Sequence, residues 1–131
     1  MDILALDFGS KKIGRARANS VVRIPEPLPI FQNLNNQNLD KLYEEIIVQK
    51  PAKVLVGLPR SLAGQETEQS KIIRQFTKQL AAKIQCPVEL VDETLSTQSA
   101  AKWSVRYPGS DEDSLAACVI LERYFEEGSV T

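Results

Sequence analysis

The feature that most restricts the fold of this chain is a change of hydrophobic period between Ile30 and Leu39. Before it, short apolar runs are broken by turn residues, which reads as strands. Asp2–Asp7 is a buried strand that ends on an acid, and Phe8-Gly9-Ser10 turns the chain. Lys12–Ala18 is a second strand, closed by an Asn19-Ser20 turn. Val21–Ile30 opens as a third strand, with Pro25, Pro27 and Pro29 making its second half an edge or irregular extension. After the change, Leu39, Leu42, Tyr43, Ile46 and Ile47 recur at helical spacing until Lys50-Pro51 stops the helix. Val54–Gly57 is a short buried strand and Ser61–Thr67 a polar loop. Ile72, Ile73, Phe76, Leu80 and Ile84 line a second helix, and Val88–Asp92 is another strand. Helices at about Thr97–Val105 and Ser110–Glu126 are separated by Tyr107-Pro108-Gly109. This order predicts an α/β fold. Its sheet has five strands, an antiparallel three-strand meander followed by parallel strands, with helices on both faces.

Composition narrows the chemistry. The 131 residues are 43% apolar, enough for one domain spanning 1–131 with a core that needs no disulfide or metal staple. The chain has no histidine, which removes Ser–His and Cys–His nucleophile pairs and histidine-ligated metals. Cys86 and Cys118 are too few and too far apart for a zinc site, and each reads as a small apolar residue. The longest apolar run, Leu115–Leu121, falls far short of a membrane span. With no basic-then-apolar signal at the N-terminus, a cytoplasmic protein without a membrane partner is expected. The net charge of −1 argues against binding nucleic acid through overall basicity, so any such contact must use a local patch.

In sheets of this kind, functional groups collect where strands end on one rim. Asp7 ends the first strand before Gly9, as either an Asx-turn acid or a metal ligand on a rigid strand. Asp92 and Glu93 end the strand from Val88, and alternation sends their side chains to opposite faces, so one of them can share a site with Asp7. Asp113 completes a Ser110-x-x-Asp113 pattern that matches a capping box, and it also opens a helix turn apolar enough to be buried. Three carboxylates from two strand ends and a helix start can hold hard divalent cations through oxygen alone. Paired ions can then cleave a phosphodiester without histidine.

Lys11, Lys12, Arg15, Arg17 and Arg23 form the one dense basic region. Arg15 and Arg17 project to one face of their strand, where they serve either as edge-protecting charges or as phosphate contacts. Lys11 and Lys12 sit beside Asp7, which favours them as contacts to a nucleic-acid backbone. Arg60 is a weaker candidate. Trp103 and Tyr107 can stack on a base, but a core or helix-packing role is the expectation.

Four segments carry a family resemblance. They are Leu4 to Gly14 (LALDFGSKKIG), Val56-Gly57-Leu58-Pro59 with Gly64 beyond it, Val91 to Thr97 (VDETLST), and Asp113 to Ala117 running on to Ile120-Leu121-Glu122. In this order they resemble the signatures of the YqgF (RuvX) family. The resemblance implies a ribonuclease H-like fold and a nuclease using Mg²⁺ or Mn²⁺ on structured RNA, in maturation of the 5′ end of 16S ribosomal RNA. Cleavage of branched DNA, as in a Holliday junction, is the alternative it carries. The family's acids map onto Asp7, Glu93 and Asp113. Three departures bear on substrate binding: Thr94 stands where the family usually has arginine, the segment Tyr107–Asp113 is short and acidic, and Arg15 and Arg17 replace valine-like residues. A nucleic-acid-binding module with weak or lost cleavage is the competing reading.

Overall fold

The computed structural model describes residues 1–32, 39–59, 67–93 and 97–129, with backbone alone for 97–100. Among the described residues nine elements follow one another: β1 (Asp2–Phe8), β2 (Lys12–Asn19), β3 (Glu26–Gln32), α1 (Leu39–Gln49), β4 (Lys53–Pro59), α2 (Glu68–Lys83), β5 (Val88–Glu93), α3 (Thr97–Arg106) and α4 (Glu112–Glu127). The sheet order is β3-β2-β1-β4-β5. β1 pairs antiparallel with β2 and β2 with β3, whereas β4 lies parallel to β1 and β5 parallel to β4. This is the predicted meander followed by parallel strands.

Strand alternation divides the core. Leu4, Leu6, Phe8, Ile13, Val54, Val56 and Leu90 face α1 and α2, meeting Leu42, Ile46, Ile73, Phe76 and Leu80. Ile3, Ala5, Ala16, Ala18, Leu55 and Val91 face the other way, onto α4 and Trp103. The small side chains at 5, 16 and 18 let α4 lie close on the sheet, and Ala117, Cys118, Ile120 and Leu121 are fully enclosed there. Trp103 is buried and its ring stacks on Tyr107, whose hydroxyl donates to the Pro25 carbonyl at 2.9 Å. Both aromatics therefore pack, as expected.

Two expectations need correction. The third strand does not begin at Val21. Asn19 Oδ1 accepts from the Val21 and Val22 amides, and Arg23 takes a φ of 61°, so the turn continues through Arg23. The strand is instead the proline-bearing half, Glu26–Gln32. Proline is tolerated there because β3 is the edge strand, with a partner on one side only. The second correction concerns the start of α4. Its N-cap is Asp111, whose carboxylate accepts from the Asp113 amide at 2.8 Å, so Ser110 and Asp113 do not form the capping box. The side chain of Asp113 is thereby released from capping. The expected loop 61–67 and the positions of Arg60, Gly64 and Thr94 lie outside the described residues, except for Thr67.

Candidate metal and nucleic-acid site

β1 and β5 are not adjacent, but both run in the same direction on either side of β4, so their C-terminal ends reach the same rim. Odd-numbered positions of β1 and β5 face α4, which sends Asp7 and Glu93 to that side and Asp92 to the other. α4 starts at the same rim. Its first turn rests on β2, where a Cβ added to Gly14 would lie 1.9 Å from the Asp113 carbonyl oxygen. Only glycine permits this approach, and the approach carries Asp113 to the acids. Gly57 plays a similar part from β4: a Cβ there would come within 2.5 Å of Ile120 Cδ1 and 2.8 Å of Glu93 Oε2. Glu93 occupies the space that the missing side chain leaves.

The acids are electrostatically stressed. Burial, then the Asp7 charge and a hydrogen bond with Asp7, push the Glu93 carboxyl up to about 8, with Asp113 adding to the effect. Burial and the Asp113 charge push Asp7 up to about 6, while the hydrogen bond from Glu93 pulls it back. Their hydrogen bond favours the protonated form of Glu93 and the charged form of Asp7. Asp113 is engaged differently. Lys12 Nζ stands 3.3 Å from its Oδ2 and 3.1 Å from Asp111 Oδ2. The Asp113 amide and Lys12 together hold the Asp111 carboxyl below its ordinary range.

The structure therefore joins Asp7 to Glu93 and brings Asp113 within range of both. Among the described residues, no three acidic or cysteine side chains stand together as a ready cation site. Lys12 belongs to the rim and Lys11 is exposed beside it. Arg15 and Arg17 lie across the sheet, where strand pairing sets them beside Leu6 and Leu4 on the α1–α2 side. There Arg15 donates to the Pro29 carbonyl at 2.8 Å and pairs with Glu45 at 2.8 Å, while Arg17 pairs with Glu26 at 3.5 Å. The sequence reading missed Asp111 as the residue that caps α4 and shares Lys12. Its signal, an Asp directly before two further acids and an apolar run, is legible in the sequence, but Ser110 offers an equally good cap one residue earlier.

A five-stranded mixed sheet with acids gathered at the parallel-strand ends and on the covering helix defines a ribonuclease H-like domain. The chain belongs to the RuvX family: that family's sequence model, described as a Holliday junction resolvase, matches residues 1–127. A Bordetella pertussis protein named "Putative pre-16S rRNA nuclease" is 38% identical over 125 residues, covering 95% of this chain and 92% of that protein. A Rickettsia bellii protein of the same name is 33% identical over 127 residues, covering 92% of this chain and 82% of its own length. Among solved structures, Thermus thermophilus RuvC in complex with a Holliday junction superposes with a TM-score of 0.65 at 13% identity, covering 98% of each chain. That likeness shows the shared fold.

Proposed function

We propose that residues 1–131 act as one nuclease domain that cleaves structured nucleic acid with Mg²⁺ or Mn²⁺, its substrate being the 5′ end of precursor 16S ribosomal RNA in the cytoplasm. The observation that carries this reading is the crowding of Asp7 against Glu93 with Asp113 close behind. Buried carboxylates that repel one another enough to retain a proton form a site short of positive charge. The donors are all oxygen and no histidine is present, which fits a hard divalent cation. Asp7, Glu93 and Asp113 are the residues that would hold it. When bound, such an ion supplies neutralisation of the charge that builds on a phosphodiester under attack.

The chain's own groups do the rest. Asp7 and Glu93 sit on strands fixed by the sheet, so the acid pair is oriented before substrate arrives. Lys11 and Lys12 border the acids and meet backbone phosphates. Arg15 and Arg17 would meet a nucleic acid only along the other side of the sheet, and only by giving up Glu45 and Glu26. No helix among the described residues is long and apolar enough to cross a membrane. The names of the Bordetella and Rickettsia relatives favour RNA as the substrate.

A second reading, cleavage of branched DNA, is favoured by the family's description and by the fold shared with junction-bound RuvC. The test sets precursor ribosomal RNA fragments beside a four-way DNA junction, each with and without Mn²⁺. Metal-dependent RNA product is expected. Junction products alone would favour the second reading, and binding of either substrate without any metal-dependent product would leave a binding module.

A further inference from the structure

Of the three acids, Asp113 already has a cation, and it is part of the chain. Lys12 is the first residue of β2 and its side chain lies on the α4 side of the sheet, with Gly14, Ala16 and Ala18. Its ammonium spans Asp111 Oδ2 at 3.1 Å and Asp113 Oδ2 at 3.3 Å. Asp111 is committed to capping α4 through the Asp113 amide, so it stays in place whatever happens to Asp113. The Lys12 and Asp113 side chains are 43% and 35% exposed, so their contact opens to solvent. An ion pair of that kind is weak and readily exchanged. Lys11, one residue away, carries the same charge but points into solvent.

Resting on the metal-nuclease reading above, we propose that Lys12 is a built-in counter-ion for Asp113, which a divalent cation must displace in order to bind. Asp111 then acts as the parking site that keeps the displaced ammonium at the rim. The arrangement has two consequences. The acidic rim is kept from full repulsion in the metal-free protein, because one of its carboxylates is neutralised from within. Ion affinity is also set by a competition inside the chain, so it is lower than the acids alone would give.

The test is Mn²⁺ binding, followed by paramagnetic resonance and calorimetry, in wild type, Lys12→Met and Lys11→Met. Both variants lose one positive charge near the acids, but only Lys12→Met loses the pair. Lys12→Met is expected to bind Mn²⁺ about fivefold more tightly, the scale of a solvent-open ion pair. Lys11→Met should change affinity by less than about twofold, as for a screened surface charge. Equal effects in the two variants, or weaker binding in Lys12→Met, would overturn the counter-ion role while leaving the metal reading intact. Absence of Mn²⁺ binding in wild type would overturn the metal reading itself, and this proposal with it. If Lys12→Met does not fold, wild-type protein with ¹³C-labelled lysine serves instead. On Mg²⁺ addition the Lys12 ε-methylene signal should shift while that of Lys11 stays. A stationary Lys12 signal in protein that binds Mg²⁺ overturns the proposal.

Discussion

Replacing Gly14 by alanine probes the contact on which the site's geometry depends. The new Cβ would lie 1.9 Å from the Asp113 carbonyl oxygen, 2.2 Å from its carbonyl carbon and 2.8 Å from its Cβ. Two of these three neighbours are backbone atoms, so no rotamer change relieves the clash. The first turn of α4 must lift from β2 by roughly an ångström, against interior packing that deforms little. Overpacking of this kind costs about 1–3 kcal/mol, and the upper end applies because both partners are secondary-structure backbone. Lifting the helix also loosens Ser114 Oγ from the Leu28 carbonyl, now 2.6 Å away, and a lost hydrogen bond adds about 1 kcal/mol. For a domain of this size, the sum of about 3–4 kcal/mol lowers Tm by about 10–15 °C. Thermal unfolding followed by circular dichroism measures it. A Gly14→Ala protein melting within about 3 °C of wild type would show that α4 does not press on β2 at this point, and the placement of Asp113 would fall with it.

Glu93 and Asp7 hold protons more tightly in the folded protein than at their ordinary values of 4.5 and 3.8. Their contribution to stability is therefore full below about pH 4 and is lost as pH rises through about 6 and about 8. Without divalent ions, Glu93→Gln should flatten that loss and exceed wild type in urea midpoint at pH 9; a variant that declines in parallel with wild type contradicts the assignment. Thr67 caps α2 through a reciprocal bond with Ser70, so Thr67→Ala should cost about 1 kcal/mol, read as a fall in Tm; an unchanged Tm removes the cap's role. Arg15→Ala with Arg17→Ala should lower Tm, because Glu45, the Pro29 carbonyl and Glu26 lose their partner, yet leave the salt dependence of RNA binding unchanged. A slope flatter by about two contacts would return both arginines to phosphate binding.

The sequence revealed most where a side-chain pattern decides backbone form. Leu42, Tyr43 and Ile46 announced α1 by spacing, and Asp7 and Glu93 announced the rim by closing strands whose other residues are apolar. Alternation alone separated Asp92 from Glu93. It was less informative where tertiary position overrides propensity. Pro27 and Pro29 mark either an edge strand or an irregular extension, and only the finished sheet decides for the edge, because which strand lacks a second partner is set by the whole fold. The cap of α4 is equally ambiguous in the local sequence. Ser110 and Asp111 are both good caps, and Asp111 is the one whose carboxylate accepts from the Asp113 amide, with Lys12, 99 positions earlier in the chain, beside it. The pairing of Arg15 with Glu45 and of Arg17 with Glu26 is not legible in the sequence, because the glutamates approach the arginines only after folding.

In the proposed nuclease Asp7 holds a cation rather than shaping its turn. Asp7→Asn keeps size and hydrogen-bonding capacity but removes the charge. The decisive measurement pairs Mn²⁺-dependent cleavage of a precursor ribosomal RNA fragment with metal-free Tm, for wild type and variant. Cleavage is expected to collapse while Tm holds or rises, since the repulsion with Glu93 and Asp113 is relieved. A well-folded Asp7→Asn protein that still cleaves at the wild-type rate would contradict that role for Asp7.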